Sequence, residues 1–190
     1  MTSISQEDAE RSAEEWMPLL KTWLVNAIRD PTQHQDIGKV LAYVCETHVN
    51  EWLSQQCNRP IQTVTGQPYD GVTIDNKPRV RNQTKFRMSD WHFETTRRNS
   101  KKNAETNSTG HVAYRSDEFD VVAIFKPGPT FGITGSTIRC IPTSALVHPT
   151  KPNQLVTRIT ADTRRLYDND AKTLEVIQAM YSQIPPSPQD

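Results

Sequence analysis

The chain has 190 residues, with 22 basic and 22 acidic side chains that cancel to zero formal charge. That length suits one domain with a sizeable buried core, and the neutral balance gives no global attraction to a polyanion. Three cysteines, Cys45, Cys57 and Cys140, are odd in number and lack metal-type spacing, which argues against a disulfide scaffold or a zinc finger and fits a reducing interior.

The N-terminus lacks the basic region and apolar core of a signal peptide, and no run approaches transmembrane length. The expectation is a soluble cytoplasmic protein with no membrane partner. Ser5-Gln6-Glu7-Asp8 resembles a capping box, so a helix should start near residue 6. Trp16, Leu19, Leu20, Trp23, Leu24, Ala27 and Ile28 form an apolar stripe at helical spacing, Pro18 should kink or divide the helix, and Asp30-Pro31 should close it. The periodicity assigns this stripe to a core face, with a partner-binding face as the alternative.

A second helix is expected over residues 35–56, with Ile37, Val40, Leu41, Val44, His48, Trp52 and Leu53 on one side. Stepping about 100° per residue puts Glu51 in that apolar sector and Glu46 opposite it. Glu51 then either points inward, where a carboxylate needs a partner or a metal, or reaches solvent at a fraying end. Ile61 to Thr65 has strand composition, and Gly66-Gln67-Pro68 turns the chain.

A β-hairpin should follow, from Asp70 through a turn at Asp75-Asn76-Lys77-Pro78 to Arg87. Val80, Asn82, Thr84 and Phe86 alternate with Arg79, Arg81, Gln83, Lys85 and Arg87 at the two-residue period of a strand. One face therefore carries Gln83 and Lys85 together, and closure of the hairpin would bring Asp70 near both. Residues 88–111 are polar and basic, as a long loop or an irregular short helix. From Lys77 to Lys102 the basic residues Lys77, Arg79, Arg81, Lys85, Arg87, Arg97, Arg98, Lys101 and Lys102 face only Asp90 and Glu94, a local anion-binding surface in a neutral chain.

Val121-Val122-Ala123-Ile124-Phe125 reads as a strand covered on both faces. Thr137 to Ile141 is a further strand, Leu155 to Ile159 an edge strand, and residues 171–183 a last helix with Leu174, Ile177 and Tyr181 inward, stopped by a Pro-rich tail. The pattern gives an α/β fold, a central mixed β-sheet flanked by helices. A single domain over 1–190 is expected, with a helical part at 1–58, a core at 60–126 and the basic insertion at 88–111.

Asp70, then Gln83-Thr84-Lys85 on a strand, then a basic insertion and an apolar strand, resembles the PD-(D/E)xK nuclease superfamily, particularly type II restriction endonucleases. Asp70 matches the first acid, Gln83 the second position and Lys85 the lysine. Tyr69 stands where the family has proline, and Gln83 where it has an acid, giving the Q-x-K variant. The resemblance implies a restriction endonuclease-like fold, with Asp70, Gln83 and Lys85 catalytic. Mg2+ would be held by Asp70, Gln83 and the Thr84 main-chain carbonyl, and a second metal would need further ligands, which Glu51 or Asp75 could contribute. It implies a sequence-specific endonuclease hydrolysing double-stranded DNA, a homodimer, and a companion DNA methyltransferase protecting the same site. Arg87, Arg97, Arg98, Asn99, Lys101, Lys102 and Asn103 would contact DNA, reading bases or only attracting phosphates. His111, Tyr114 and Arg115 are assigned to packing. The alternatives are a repair, recombination or phage nuclease of the same fold, a DNA-binding protein on a degenerate nuclease fold, and a purely structural interaction domain.

Overall fold

Ser5 caps the first helix, α1 (Gln6–Arg29), by accepting from Asp8 N at 3.1 Å, with Glu7 and Asp8 placed favourably for the dipole in its first turn. The computed structural model describes residues 5–87, 96–98 and 111–182. By internal contacts the chain forms two compact units, Met1–Leu41 and Ala42–Asp190. No helix among the described residues is long and apolar enough to cross a membrane.

In the first unit α1 runs unbroken through Pro18, and Thr22 Oγ1 donates to Pro18 O at 2.9 Å. Asp30 ends the helix and accepts from Thr32 N, opening a short 3-10 turn before α2 (His34–Cys57). The core-face assignment of the α1 stripe fails. Trp16 is 67% exposed, Leu19 62% and Leu20 43%, and only Ala27 is buried. Periodicity identifies an apolar face and cannot say what covers it.

The second unit holds a five-stranded mixed sheet in the order β1 (Ile61–Thr63), β2 (Gly71–Thr73), β3 (Arg81–Phe86), β6 (Val121–Lys126) and β7 (Thr137–Pro142). β4 (Thr96–Arg98) and β5 (His111–Ala113) form a separate antiparallel pair. β1, β2 and β3 form an antiparallel meander, β3 and β6 are parallel, and β7 returns antiparallel. The parallel register is pinned at its start, because Asp120 accepts from Arg81 N at 2.8 Å and pairs with the Arg81 guanidinium at 3.0 Å. Val121 to Phe125 are all buried, as their unbroken apolar run anticipates.

Helices flank this sheet. The later part of α2 contributes Cys45, Val49 and Leu53 to the core, and His48 meets Phe125 edge to face at 5.6 Å. At the other end of the chain, α4 (Asp170–Tyr181) packs on β7 through Thr173, Val176, Ile177 and Tyr181, while Leu174 is exposed. Three further expectations change. A seven-residue helix, α3 (Ala161–Tyr167), precedes α4. The edge strand expected after Leu155 lies before it, as β9 (Lys151–Leu155) paired with β8 (Val147–His148). Part of the basic insertion is strand, since β4 pairs Arg97 with Val112 and Arg98 with His111, which places His111 in a strand.

Two buried polar groups position the hairpin. Arg59 is 2% exposed and donates to both Asp75 carboxylate oxygens, Thr73 Oγ1, Pro78 O and Tyr181 O, fastening the β2–β3 turn to the end of α4. Asn50 on α2 donates to Thr63 Oγ1 at 3.0 Å and Asp70 O at 3.1 Å, and accepts from Asn82 Nδ2 at 2.8 Å. This approach requires glycine at 71, where a Cβ would run into Asn50 Oδ1 and Asn82 Oδ1. Arg59→Ala strands several of these acceptors without a donor and should destabilise the fold by about 3 kcal/mol or more in urea denaturation. Arg59→Lys should not restore the loss, because an ammonium lacks the fork. Gly71→Ala should cost about 1–3 kcal/mol by overpacking.

Candidate functional site

Asp70 sits immediately before β2, and its N–H donates to Asn82 O at 2.9 Å, extending the β2–β3 ladder by one residue. Its carboxylate therefore turns onto β3. Asp70 Oδ2 accepts from Thr84 N at 2.7 Å and from Gln83 Nε2. Gln83 and Thr84 are buried, and Gln83 Nε2 also donates to Thr84 O at 3.2 Å. The Gln83 amide thus faces Asp70 through its hydrogens and engages the main-chain carbonyl expected to bind metal.

Lys85, two residues along, shares the Gln83 face of the strand. Its Nζ donates to the phenol oxygen of Tyr114 at 3.0 Å and lies 4.8 Å from the ring centroid. Tyr114 is buried, packed edge to face on Phe119, and its carbonyl accepts from Leu155 N. The packing role expected of Tyr114 is therefore joined by direct contact with the site lysine. Burial pulls the Lys85 ammonium down to about 8, with Arg87 acting the same way and Asp70 and Glu46 opposing.

Glu46, and not Glu51, is the α2 glutamate turned toward the sheet. It is half-buried on α2, within electrostatic reach of Asp70 and Lys85, whereas Glu51 is exposed. Cys45, Val49 and Leu53 define the buried side of α2, while Val40 and Val44, which share the apolar stripe by spacing, are exposed. Rotating the helix to that buried side brings Glu46 to its edge, and Glu51 is about 140° away from Glu46. The exposure of Glu51 is not fraying, since α2 continues to Cys57. Asp75 is likewise committed elsewhere, to Arg59 at 2.6 Å. The signal available in the sequence was Cys45-Glu46 followed by Val49 and Leu53 at helical steps.

The electrostatics of the cluster follow from burial. Desolvation, with the Asp70 charge adding and Lys85 opposing, pushes Glu46 up to about 7. Desolvation also raises Asp70, against the Thr84 N–H, the Lys85 charge and the Gln83 amide. Two hard carboxylates whose ionisation is opposed by burial constitute a donor set that a divalent cation would favour. Cys45, beside them, is held as a thiol by burial at about 12 and offers no competing soft ligand. Among the described residues no group of three or more His, Cys, Asp or Glu side chains forms a metal cluster. Asp70 and Glu46 offer oxygen donors of the kind magnesium takes, since that ion commonly uses one or two carboxylates and keeps its waters.

Of the expected DNA contacts, Arg87 is half-buried at the end of β3, its N–H donating to Phe125 O at 2.8 Å. Arg97 and Arg98 lie in β4, and Asn99, Lys101, Lys102 and Asn103 lie outside the described residues. No protein-family model matches the chain, and no curated protein or solved structure matches it either.

The raised Glu46 carboxyl makes a pH prediction. Its folded-state pKa of about 7 lies above the usual 4.5, so ionisation costs stability as pH rises through this window and costs nothing below it. Without divalent metal, and with solvent screening of a half-exposed carboxylate, Glu46→Gln should stabilise the protein by about 1 kcal/mol at pH 8 and far less at pH 5. Urea denaturation at both pH values checks this, and an equal effect at the two would contradict it.

Proposed function

We propose that this chain is a magnesium-dependent endonuclease of the PD-(D/E)xK type, with a restriction endonuclease-like fold, that hydrolyses double-stranded DNA at a specific sequence. One observation carries the reading. Asp70 and Glu46, both resisting ionisation, converge with Lys85, whose ammonium is pulled down to about 8, around an antiparallel hairpin inside a mixed sheet. Perturbed acids and a perturbed lysine in one place are the expected signature of catalytic chemistry.

Mg2+ would be held by Asp70, Glu46 and the Thr84 main-chain carbonyl, with Gln83 contributing its oxygen once its amide turns. The ion when bound supplies Lewis acidity to the scissile phosphate and to water. Lys85 is assigned two roles. In its neutral form it takes a proton at Nζ from the attacking water, and as an ammonium it stabilises charge developing on the phosphate. Tyr114 holds that nitrogen in place through its 3.0 Å hydrogen bond. Arg87, Arg97, Arg98, Asn99, Lys101, Lys102 and Asn103 would supply phosphate and base contacts. Two copies would cut the two strands, and a methyltransferase of the same specificity would protect host DNA.

A second reading draws on the hydrogen bond from Gln83 to Asp70. An amide that donates to the acid, instead of offering an oxygen beside it, also suits a DNA-binding protein on a degenerate nuclease fold. Plasmid digestion with Mg2+ against EDTA separates the two. Wild type should give discrete bands with Mg2+ alone, and Asp70→Ala and Lys85→Ala should each lose about 100-fold or more. Cleavage surviving both substitutions refutes the site, a smear refutes sequence recognition, and salt-dependent binding without cleavage favours the degenerate reading. Gln83→Glu gives a readout besides activity. It should lower the melting temperature in EDTA and show a larger stabilisation by Mg2+ than wild type.

A further inference from the structure

The hairpin of β8 and β9 lies outside the five-stranded sheet, and its ladder is irregular. Val147 pairs with Leu155 but His148 with Lys151, so Pro152, Asn153 and Gln154 have no counterpart on β8. Their main chain is taken up instead by the segment that follows β5. Ser116 N donates to Asn153 O at 3.2 Å, Ser116 Oγ donates to Pro152 O at 2.8 Å, and Arg115 forms an isolated antiparallel bridge with Gln154. Leu155, fully buried, closes the arrangement by donating its N–H to Tyr114 O at 2.8 Å. Tyr114 is also the residue whose phenol oxygen accepts from Lys85 Nζ at 3.0 Å. One tyrosine thus joins the site lysine, through its side chain, to the irregular run of β9, through its main chain. Strand interruptions of this kind recur beside active sites, where they re-aim side chains.

Charge along this run favours an anion. No Asp or Glu occurs between Asp120 and Asp162, whereas Lys126, Arg139, Lys151 and Arg158 do. Arg139 pairs with Asp168 and Asp170, while Lys151 and Arg158 are exposed on β9 and just beyond it. Of the acids that precede the stretch, Asp117 pairs with Arg115 at 2.8 Å, Asp120 pairs with Arg81 at 3.0 Å, and Glu118 accepts from Arg115 N at 3.0 Å. Asn153 and Gln154 are exposed, and their side-chain amides make no hydrogen bond among the described residues. An amide offers a donor and an acceptor together, the pair that matches the adenine edge in the major groove, and that groove admits a two-stranded ribbon. We propose that the β8–β9 hairpin is a base-reading element for duplex DNA, with Asn153 and Gln154 on base edges in the major groove and Lys151 on a flanking phosphate. The bases it reads are those near the scissile bond, because Gln154 lies one strand spacing, about 4.8 Å, from Arg115, next to the tyrosine that reaches Lys85. A partner's β-strand is a poorer occupant, since Pro149 and Pro152 lack an N–H and the main chain of Asn153 and Gln154 already pairs with Ser116 and Arg115. This assignment rests on the nuclease reading for its substrate.

Selection from a pool of random-sequence duplexes, with Ca2+ replacing Mg2+ so that binding is read without turnover, tests it on the full chain. Wild type should enrich one sequence. Asn153→Ala or Gln154→Ala should lower discrimination at a base pair of that sequence about tenfold or more and leave the other positions alone. Lys151→Ala should weaken binding to all duplexes alike and reduce its salt slope by about one, and Lys151→Arg should restore the slope. All three side chains are exposed, so each variant should melt at the wild-type temperature. Amide variants that keep wild-type selectivity, or a wild type that enriches no sequence, overturn the base-reading role, and persistent Mg2+-dependent plasmid cleavage then leaves the nuclease reading standing. An unchanged salt slope in Lys151→Ala overturns the phosphate contact. A wild type that binds no duplex overturns both readings. Hairpin-dependent selection with no cleavage in Mg2+ upholds the hairpin's role and removes the nuclease activity.

Discussion

A single buried amide, that of Asn50, sets the geometry on which the candidate site depends. It holds α2 to β1 through Thr63, to the Asp70 carbonyl just before β2, and to β3 through Asn82. Three strands are thereby referenced to one helical residue, and Glu46, one turn earlier on the same helix, lies within electrostatic reach of Asp70 and Lys85. The arrangement requires that nothing project from position 71, and glycine is what stands there. Buried amides of this kind cost stability unless their groups are paired, so their presence beside two half-buried acids fits a region built to hold polar chemistry away from bulk water.

Much of this architecture was legible because period and punctuation are local. The Ser5 cap, the Asp30-Pro31 stop, the hairpin from Asp70 to Arg87 and the fully apolar strand at Val121 are written in neighbouring residues. What could not be read was what each apolar face meets. Trp16 and Leu20 have the spacing of core residues and lie in solvent. On α2 the same ambiguity has a larger effect, since Val40 and Val44 extend the apolar stripe toward Glu51 although both are exposed, and the buried side lies next to Glu46. The partners of Lys85 and Arg59 were out of reach for a different reason. Tyr114 is 29 residues from Lys85, and Tyr181 is 122 from Arg59, and no local pattern encodes contacts at such separations.

The electrostatics also explain why an amide at position 83 is compatible with the site where an acid would be expected. Burial already raises both Asp70 and Glu46, so a third carboxylate against Asp70 would add repulsion with only Lys85 to offset it in the absence of metal. The Gln83 amide instead donates to Asp70 and favours its ionised form. On the proposed nuclease reading, the amide gives up one ligand charge and lessens repulsion in the metal-free cluster. Such a site depends more heavily on Glu46 for the negative charge a divalent ion needs, which makes the helix position of that glutamate, and therefore the Asn50 anchor beneath it, the feature on which metal binding would turn.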